Sequence, residues 1–319
     1  MSAPLLDVRL RQMRLEAEGI VSFEFVPAND DEWLPPFSAG AHIDLHLPDN
    51  LVRSYSLANA PSDMGRYLIA VRHEPSGRGG SAWLHTVPRV GDVFRVSPPV
   101  NSFPLVEDAE LSVFIVGGIG ITPVMSMLAR LSALDRPWCL HYATRGPRQT
   151  AFLDRLTRMA GPSRDVHFCF GSSRRARLDI AGIVREAPVG AHLYCCGPDG
   201  MIETFLAACV GRPPTTVHLE RFSAGAPQAT DGGFDIVLAR RGRRLTVAPG
   251  RSILDTLLDH AIDVPYACTA GVCGTCRTAV LDGEPDHRDA YLSPDEKRMN
   301  DSIMICCSRA RSPVLVLDL

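Results

Sequence analysis

Ala267-Cys268-Thr269-Ala270-Gly271-Val272-Cys273-Gly274-Thr275-Cys276 sets three cysteines on one short stretch, and Cys306 follows after 29 further residues. C-x4-C-x2-C with a distant fourth cysteine is the plant-type spacing for a [2Fe–2S] cluster. Gly271 and Gly274 let the backbone wrap closely around inorganic sulfide. The small side chains of Thr269, Ala270 and Thr275 leave backbone N–H groups free to face an anionic cluster. A four-cysteine zinc site usually has two closely spaced pairs, and here there is one. Disulfides fit poorly, since Cys139, Cys169, Cys195, Cys196, Cys209 and Cys307 read as single core positions and a bonded Cys276 would strain the loop. Of the adjacent Cys306 and Cys307, the gap selects Cys306 as ligand. Cys307 is then expected on the opposite face of its strand, as a small core residue. Such a cluster moves one electron at a time, so electron transfer is the first functional expectation.

Outward from this loop, the C-terminal part reads as a small β-grasp unit. Phe234–Ala239 and Arg244–Ala248 are strand-like and joined by an arginine-rich turn at 240–244 that fits a solvated hairpin. Ser252 caps a helix through Ile253, Leu254, Leu257, Leu258 and Ala261, with Asp255 closing a capping box. Strands are expected at Arg277–Leu281 and Val314–Asp318. The stretch 223–233 is small, polar and glycine-rich, a linker composition. Before Ser97-Pro98-Pro99, short alternating runs (Val8–Leu15, Ile20–Val26, His42–Leu47, Arg53–Leu57, Tyr67–Arg72, Val93–Ser97) predict an antiparallel barrel or sandwich. Beyond it, strands at Leu111–Val116, Trp138–Ala143, His167–Phe170 and His192–Cys195 alternate with helical segments, as in a parallel α/β nucleotide-binding domain. The expected division is a flavin barrel at 1–104, an α/β domain at 105–223, a linker at 224–233 and a ferredoxin unit at 234–319.

The composition is that of a globular enzyme: 319 residues, 45% hydrophobic and 22% charged, with a net charge of −3. That charge argues against general nucleic-acid binding. Ten cysteines without a signal peptide, and no uninterrupted apolar run long enough to span a bilayer, predict a cytoplasmic protein with reduced thiols and no membrane partner.

Two glycine turns point to a nucleotide. Val116-Gly117-Gly118-Ile119-Gly120-Ile121-Thr122-Pro123 follows a buried strand and opens a helix, with Pro123 expected at its first position. Close backbone approach and the helix N-terminus both favour a pyrophosphate there. Tyr194-Cys195-Cys196-Gly197-Pro198 ends a second strand, and two turns at strand C-termini form one crevice. In the barrel, Arg53-Ser54-Tyr55-Ser56-Leu57 puts Arg53, Tyr55 and Leu57 on one face and Ser54 and Ser56 on the other. A flat flavin could stack on Tyr55, take a hydrogen bond from Ser56 and pair its phosphate with Arg53. An ordinary strand pair fits Arg53 and Tyr55 equally well. Gly77-Arg78-Gly79-Gly80-Ser81 then opens a short helix at Ala82–Thr86.

Taken together, Arg53-x-Tyr55-Ser56-Leu57, Gly79-Gly80-Ser81, the 117–123 turn, Cys196-Gly197-Pro198 and the C-terminal cysteines resemble one family over essentially the whole chain. It is the phthalate dioxygenase reductase and vanillate demethylase reductase group of the ferredoxin–NADP reductase superfamily. Pro99-Val100-Asn101-Ser102-Phe103-Pro104, Glu220-Arg221-Phe222, Asp286-His287-Arg288-Asp289 and Ser308-Arg309-Ala310 match as well. The resemblance implies three parts: an antiparallel flavin barrel, a parallel α/β pyridine-nucleotide domain and a C-terminal β-grasp [2Fe–2S] ferredoxin. A C-terminal ferredoxin implies FMN rather than FAD.

The implied FMN contacts are Arg53, Ser54, Tyr55, Ser56, Gly79, Gly80, Ser81, Thr122 and Phe222. Those to NADH are Gly118, Gly120, Thr122, Pro123, Arg145, Cys196, Gly197 and Pro198. Ser56, Thr122 and Cys196 are implied at the flavin–nicotinamide contact, although Cys196 reads equally as a small residue in a packed strand end. The implied cluster ligands are Cys268, Cys273, Cys276 and Cys306. The resemblance further implies that hydride passes from NADH to FMN and that single electrons leave through the cluster to the Rieske centre of a terminal oxygenase. Arg145, with no nearby acid in Tyr142-Ala143-Thr144-Arg145-Gly146, would by itself tolerate NADPH; the resemblance points to NADH. A monomer is expected. Two other classes stay in view: an enzyme reducing a small molecule directly, and a redox sensor, for which no output helix is evident.

Overall fold

The computed structural model describes residues 4–29, 31–48, 51–75, 77, 79–171, 178–222, 232–269 and 271–319. Most of the expected linker, 224–231, lies outside the described residues, as do Arg78 and Ala270. The chain divides into two compact units, Met1–Glu220 and Arg221–Leu319.

The first unit opens with β1 (Leu6–Ala17), β2 (Ile20–Pro27), β3 (His42–His46), β4 (Val52–Ser56), β5 (Tyr67–Arg72), α1 (Gly80–Thr86) and β6 (Val93–Val96). The strands pair antiparallel in the order β4-β3-β6-β1-β2-β5. The Ala58 N–H donates to the Leu68 carbonyl at 2.7 Å, which draws the end of β4 to β5 and closes the sheet into a barrel. Alternate residues fill it: Phe23 and Phe25, Ile43 and Leu45, and Tyr67, Ile69 and Val71 are all buried. Burial of each such side chain contributes about 1.5–3 kcal/mol before the entropy of ordering is counted.

The same unit continues with β7 (Ser112–Gly117), α2 (Ile121–Ala133), β8 (Trp138–Thr144), α3 (Leu153–Met159), β9 (Arg164–Phe170), α4 (Ile180–Glu186), β10 (His192–Cys196), α5 (Asp199–Ala208) and β11 (Val217–Glu220). All neighbours are parallel, in the order β11-β10-β7-β8-β9. Every residue of β7 is buried because helices cover both of its faces. Phe114, Val116, Leu140 and Tyr142 share one core with α2, whereas Val113, Ile115, Leu193 and Cys195 share another with α4 and α5. After β9 the chain returns to the other side of β7, so strand order reverses between β7 and β10. A crevice opens there, at the strands' C-terminal ends.

The second unit comprises β12 (Phe234–Leu238), β13 (Arg243–Val247), α6 (Ile253–Asp259), β14 (Arg277–Asp282), β15 (Pro285–Asp286), α7 (Pro294–Met299), β16 (Ser302–Met304), β17 (Arg309–Ala310) and β18 (Val314–Leu317). Five strands run β13-β12-β18-β14-β16, with β12 and β18 parallel. Ile253, Leu254 and Leu257 of α6 pack on Ile236, Leu238, Leu315 and Leu317, the β-grasp arrangement. The arginine turn is ion-paired at the surface, Arg240 to Asp318 and Arg244 to Asp235. Among the described residues no helix is long and apolar enough to cross a membrane.

Three local expectations need correction. Helix α2 begins at Ile121, so Pro123 is its third residue rather than its first. A 3₁₀ turn at Gly118–Gly120 runs directly into the helix, and a missing N–H costs nothing anywhere in the first turn. Helix α6 stops at Asp259, and Ala261 takes a left-handed φ of 55° beyond it. Cys307 is not on a strand, because β16 ends at Met304 and residues 305–307 form a turn.

The capping box on α6 is present, with Ser252 Oγ accepting from the Asp255 N–H at 2.9 Å and Asp255 returning the bond. Ser252→Ala is expected to lower the stability of this unit by about 1 kcal/mol, read as a lower urea midpoint with unchanged m-value.

Candidate functional site

In the barrel, β4 and the start of α1 meet as expected. Gly80 opens α1, and a β-carbon on it would lie 2.9 Å from Arg53 Cγ and 3.0 Å from Arg53 Nε. The arginine stem therefore lies against the helix start, which only glycine leaves open. Gly79, just before, takes φ 79°. Ser81 Oγ accepts from the Glu74 N–H at 3.1 Å and so pins the approaching loop. Tyr55 packs on the barrel core, and burial pushes its hydroxyl up to about 12 against the opposing pull of Arg53. The ring is thus a neutral platform. Ser56 is buried, while Ser54 turns its hydroxyl to Asp44 Oδ1 at 2.5 Å. That bond holds Ser54 to its partner strand β3, on the face away from Arg53.

At the switch point the two glycine turns touch. A β-carbon on Gly120 would lie 2.6 Å from the Cys196 carbonyl carbon and 3.0 Å from Gly197 N. One on Gly117 would lie 2.7 Å from Pro198 Cδ. Glycine at both positions is what lets β7 and β10 deliver their turns to one floor. Gly118 adopts φ 55°, and its carbonyl accepts from the Tyr142 hydroxyl at 2.9 Å. Thr122 is buried and donates to the Ile119 carbonyl at 3.0 Å. Arg145 is exposed just past the end of β8. Its loop is held by Thr150, which donates to the Gly146 carbonyl at 2.8 Å and bonds Thr144 at 2.7 Å. Phe222 is 41% exposed in the second unit, next to residues outside those described.

Sequence reasoning missed two contributors. Tyr142 fixes the glycine turn from the neighbouring strand. Glu220 pairs with Cys196 across β10 and β11, and the Cys196 thiol donates toward Glu220 Oε2 at 3.9 Å. Burial pushes the Glu220 carboxyl up to about 8 and holds the Cys196 thiol well above its ordinary range. In the sequence Glu220 stands out only as part of a matching tripeptide; its register against Cys196 is set by the sheet.

The cysteine loop has the backbone a cluster needs. Thr269, Gly271 and Gly274 take φ of 50°, 70° and 78°. A β-carbon on Gly274 would lie within 2.7 Å of the Tyr291 ring. Cys268, Cys276 and Cys306 are buried, with Cys276 and Cys306 in the hydrophobic core of the unit, and Cys273 is part-exposed. The thiols of Cys268 and Cys273 are within hydrogen-bonding reach, so the loop already gathers two of its donors. Cys307 directs its thiol toward the Met304 carbonyl at 3.8 Å and the Ser308 hydroxyl at 3.8 Å, and it also lies within hydrogen-bonding reach of the Cys306 thiol. Four soft sulfur donors at this spacing, on a loop with three left-handed residues, fit a [2Fe–2S] group.

Residues 236–311 match the 2Fe-2S iron-sulfur cluster binding domain family. The chain is similar to the solved structure of phthalate dioxygenase reductase, with 37% identity, a TM-score of 0.78, and 99% of this chain and 98% of that chain covered. The chain belongs to the phthalate dioxygenase reductase family. That relative is described as modular, for electron transfer from pyridine nucleotides to [2Fe–2S]. Phenoxybenzoate dioxygenase subunit beta of Ectopseudomonas oleovorans is 50% identical over 98% of this chain and 97% of its own. Tetrachlorobenzoquinone reductase of Sphingobium chlorophenolicum is 44% identical over 98% of both. As a member of the phthalate dioxygenase reductase family the chain is an oxidoreductase, built as a flavin-type barrel, a parallel nucleotide-type sheet and a ferredoxin unit.

The Glu220 carboxyl gives the crevice a pH signature. Its pKa is raised on folding, so folded chains hold a proton that unfolded chains release, and stability falls as pH rises from about 4.5 to about 8. Glu220→Gln cannot lose that proton. The variant is expected to match the wild type near pH 4.5 and to exceed it above pH 8, measured as the difference in unfolding free energy across that range.

Proposed function

We propose that this chain is the reductase component of a Rieske-type oxygenase or demethylase system. It takes hydride from NADH, in preference to NADPH, onto FMN, and it passes single electrons through a [2Fe–2S] cluster to the oxygenase. The observation that carries this reading is the presence on one chain of the paired switch-point turns and a four-cysteine loop of plant-type spacing. Bound flavin would supply the conversion of a two-electron donor into one-electron steps.

The residues do the holding and aiming. Arg53, with Gly79, Gly80 and Ser81, takes the FMN phosphate. Tyr55 offers its face to the ring and Ser54 contributes from the strand backbone, while Phe222 is assigned to FMN by resemblance alone. Gly118, Gly120, Pro123, Gly197 and Pro198 let the dinucleotide lie on bare backbone, and Arg145 reaches its ribose side. Ser56, Thr122 and Cys196 line the contact between the two rings. No side chain need move a proton in the hydride step; alignment accounts for the rate. Cys268, Cys273, Cys276 and Cys306 ligate the cluster.

The proposed working parts are 1–104, 105–223, a linker at 224–233, and 234–319, in a cytoplasmic monomer. The last part carries 12 acidic and 11 basic residues. With so little net charge, docking of the oxygenase rests on shape around Thr269, Ala270 and Val272 and depends weakly on salt. The similarity to a quinone reductase supports a second reading, direct reduction of a small oxidised aromatic by the flavin.

Two experiments test these assignments. Cys306→Ser is expected to abolish the visible absorption and EPR signal of the cluster, and Cys307→Ser to keep both; a normal cluster in the first variant would refute the ligand assignment. A chain ending at Ala224 should retain FMN and NADH–ferricyanide activity but lose oxygenase turnover and full-rate cytochrome c reduction. If it drove a cognate oxygenase as well as the full chain, the cluster would not be the exit point. Undiminished reduction of a benzoquinone, with no oxygenase supported by either chain, would favour the second reading.

A further inference from the structure

A group of soft donors lies apart from both candidate sites. Strands β8 and β9 pair in parallel, and their register sets Cys139 opposite Asp165 and His141 opposite His167. Residues two apart on a strand share a face, so Cys139, His141, Asp165 and His167 stand on one surface of this ladder. The other surface of β8 carries the buried Trp138, Leu140 and Tyr142, all part of the core shared with α2. β9 is the last strand of the sheet. Cys139 and His141 are part-exposed and His167 is exposed, so the group is open to solvent.

The geometry is that of a ligand set. One donor atom each from Cys139, His141 and His167 lie within 4.8 Å of one another. Cys139 Sγ and His141 Nε2 are 3.3 Å apart. Zinc–sulfur and zinc–nitrogen bonds at tetrahedral angles would separate those atoms by roughly 3.5 Å. The His141 and His167 rings stack at 4.8 Å between centroids and 14° between planes, so both are near the Cys139 thiol, and a rotation of the exposed His167 ring out of the stack would turn its nitrogen toward the same ion. Asp165 lies close enough for its charge to act on both Cys139 and His141.

We propose that Cys139, His141 and His167 form a binding site for a divalent transition-metal ion of zinc type, with Asp165 or water completing the coordination. One thiolate and two imidazoles are borderline-soft donors that select zinc, cobalt or nickel over magnesium or calcium. On binding, Cys139 gives its proton to solvent and the ion takes its place; no electron moves. The ion would tie β9, at the sheet edge, to β8, whose end leads into Thr144 and Arg145. This site is independent of the flavin, nucleotide and cluster assignments.

Calorimetric titration of EDTA-dialysed holoprotein with zinc chloride tests it. One equivalent per chain is expected to bind with a micromolar or tighter Kd. Cys139→Ser and His167→Gln should each weaken that step at least about tenfold, since loss of a ligand costs no less than loss of a group that orients one. His73→Gln, whose ring contacts His85 elsewhere, should leave it unchanged. His167 is exposed, so its variant keeps the test valid even if the cysteine change disturbs folding. Absence of the step in the wild type, or an unchanged Kd in His167→Gln, would overturn the proposal.

Discussion

The close approach of Gly120 to the Cys196 carbonyl is the constraint on which the crevice depends. Two strands adjacent in the sheet but far apart in sequence end at the same level, and each turn leaves room for the other only because both lack side chains where they meet. A methyl group on either turn would force them apart, and backbone strain cannot absorb such an overlap cheaply. The reversal of strand order at this junction then leaves the crevice open above the strand ends, where a dinucleotide can lie on backbone N–H groups.

Next to this junction sits an acid that burial disfavours as an anion. Glu220 faces Cys196 across β10 and β11; burial raises the cost of ionising both, the nearby carboxyl adds to it at the thiol, and the thiol's hydrogen bond only partly offsets it at the carboxyl. Near neutral pH the pair is largely uncharged, a carboxylic acid beside a thiol. An uncharged lining suits the proposed packing of a neutral dihydronicotinamide on a flat ring. Tyr142 and Thr122 contribute differently: their hydroxyls take up carbonyls of the glycine turn, which fixes its shape without adding charge.

The β-grasp unit solves a separate problem, keeping a tight anionic loop rigid on a small core. Cys276 and Cys306 belong to the same apolar cluster as α6, so ligand positions and helix packing are one mechanical system. Gly274 gives way to the Tyr291 ring, and α7 beyond it begins with its own capping box, from Ser293 and Glu296. That helix escaped the sequence reading because it is short and carries no apolar stripe. Ser293-Pro294-Asp295-Glu296 was nevertheless a legible start signal, with proline in the first turn and an acid closing the box.

By itself the sequence determined what is local. Cysteine spacing, the glycine turns, alternating strands and the Ser252 cap all follow from interactions among residues a few positions apart, which propensity and periodicity report directly. It misjudged places where two local rules competed: the start of α2, where a 3₁₀ turn preceded the proline, and Cys307, where a turn replaced the expected strand. Only the tertiary structure decided which distant residues face one another. Glu220 against Cys196, Tyr142 on the Gly118 carbonyl, Arg53 on Gly80, and Cys139 with His141 and His167 depend on strand order and register. Those are set by packing across the whole sheet, and no window of neighbouring residues contains them.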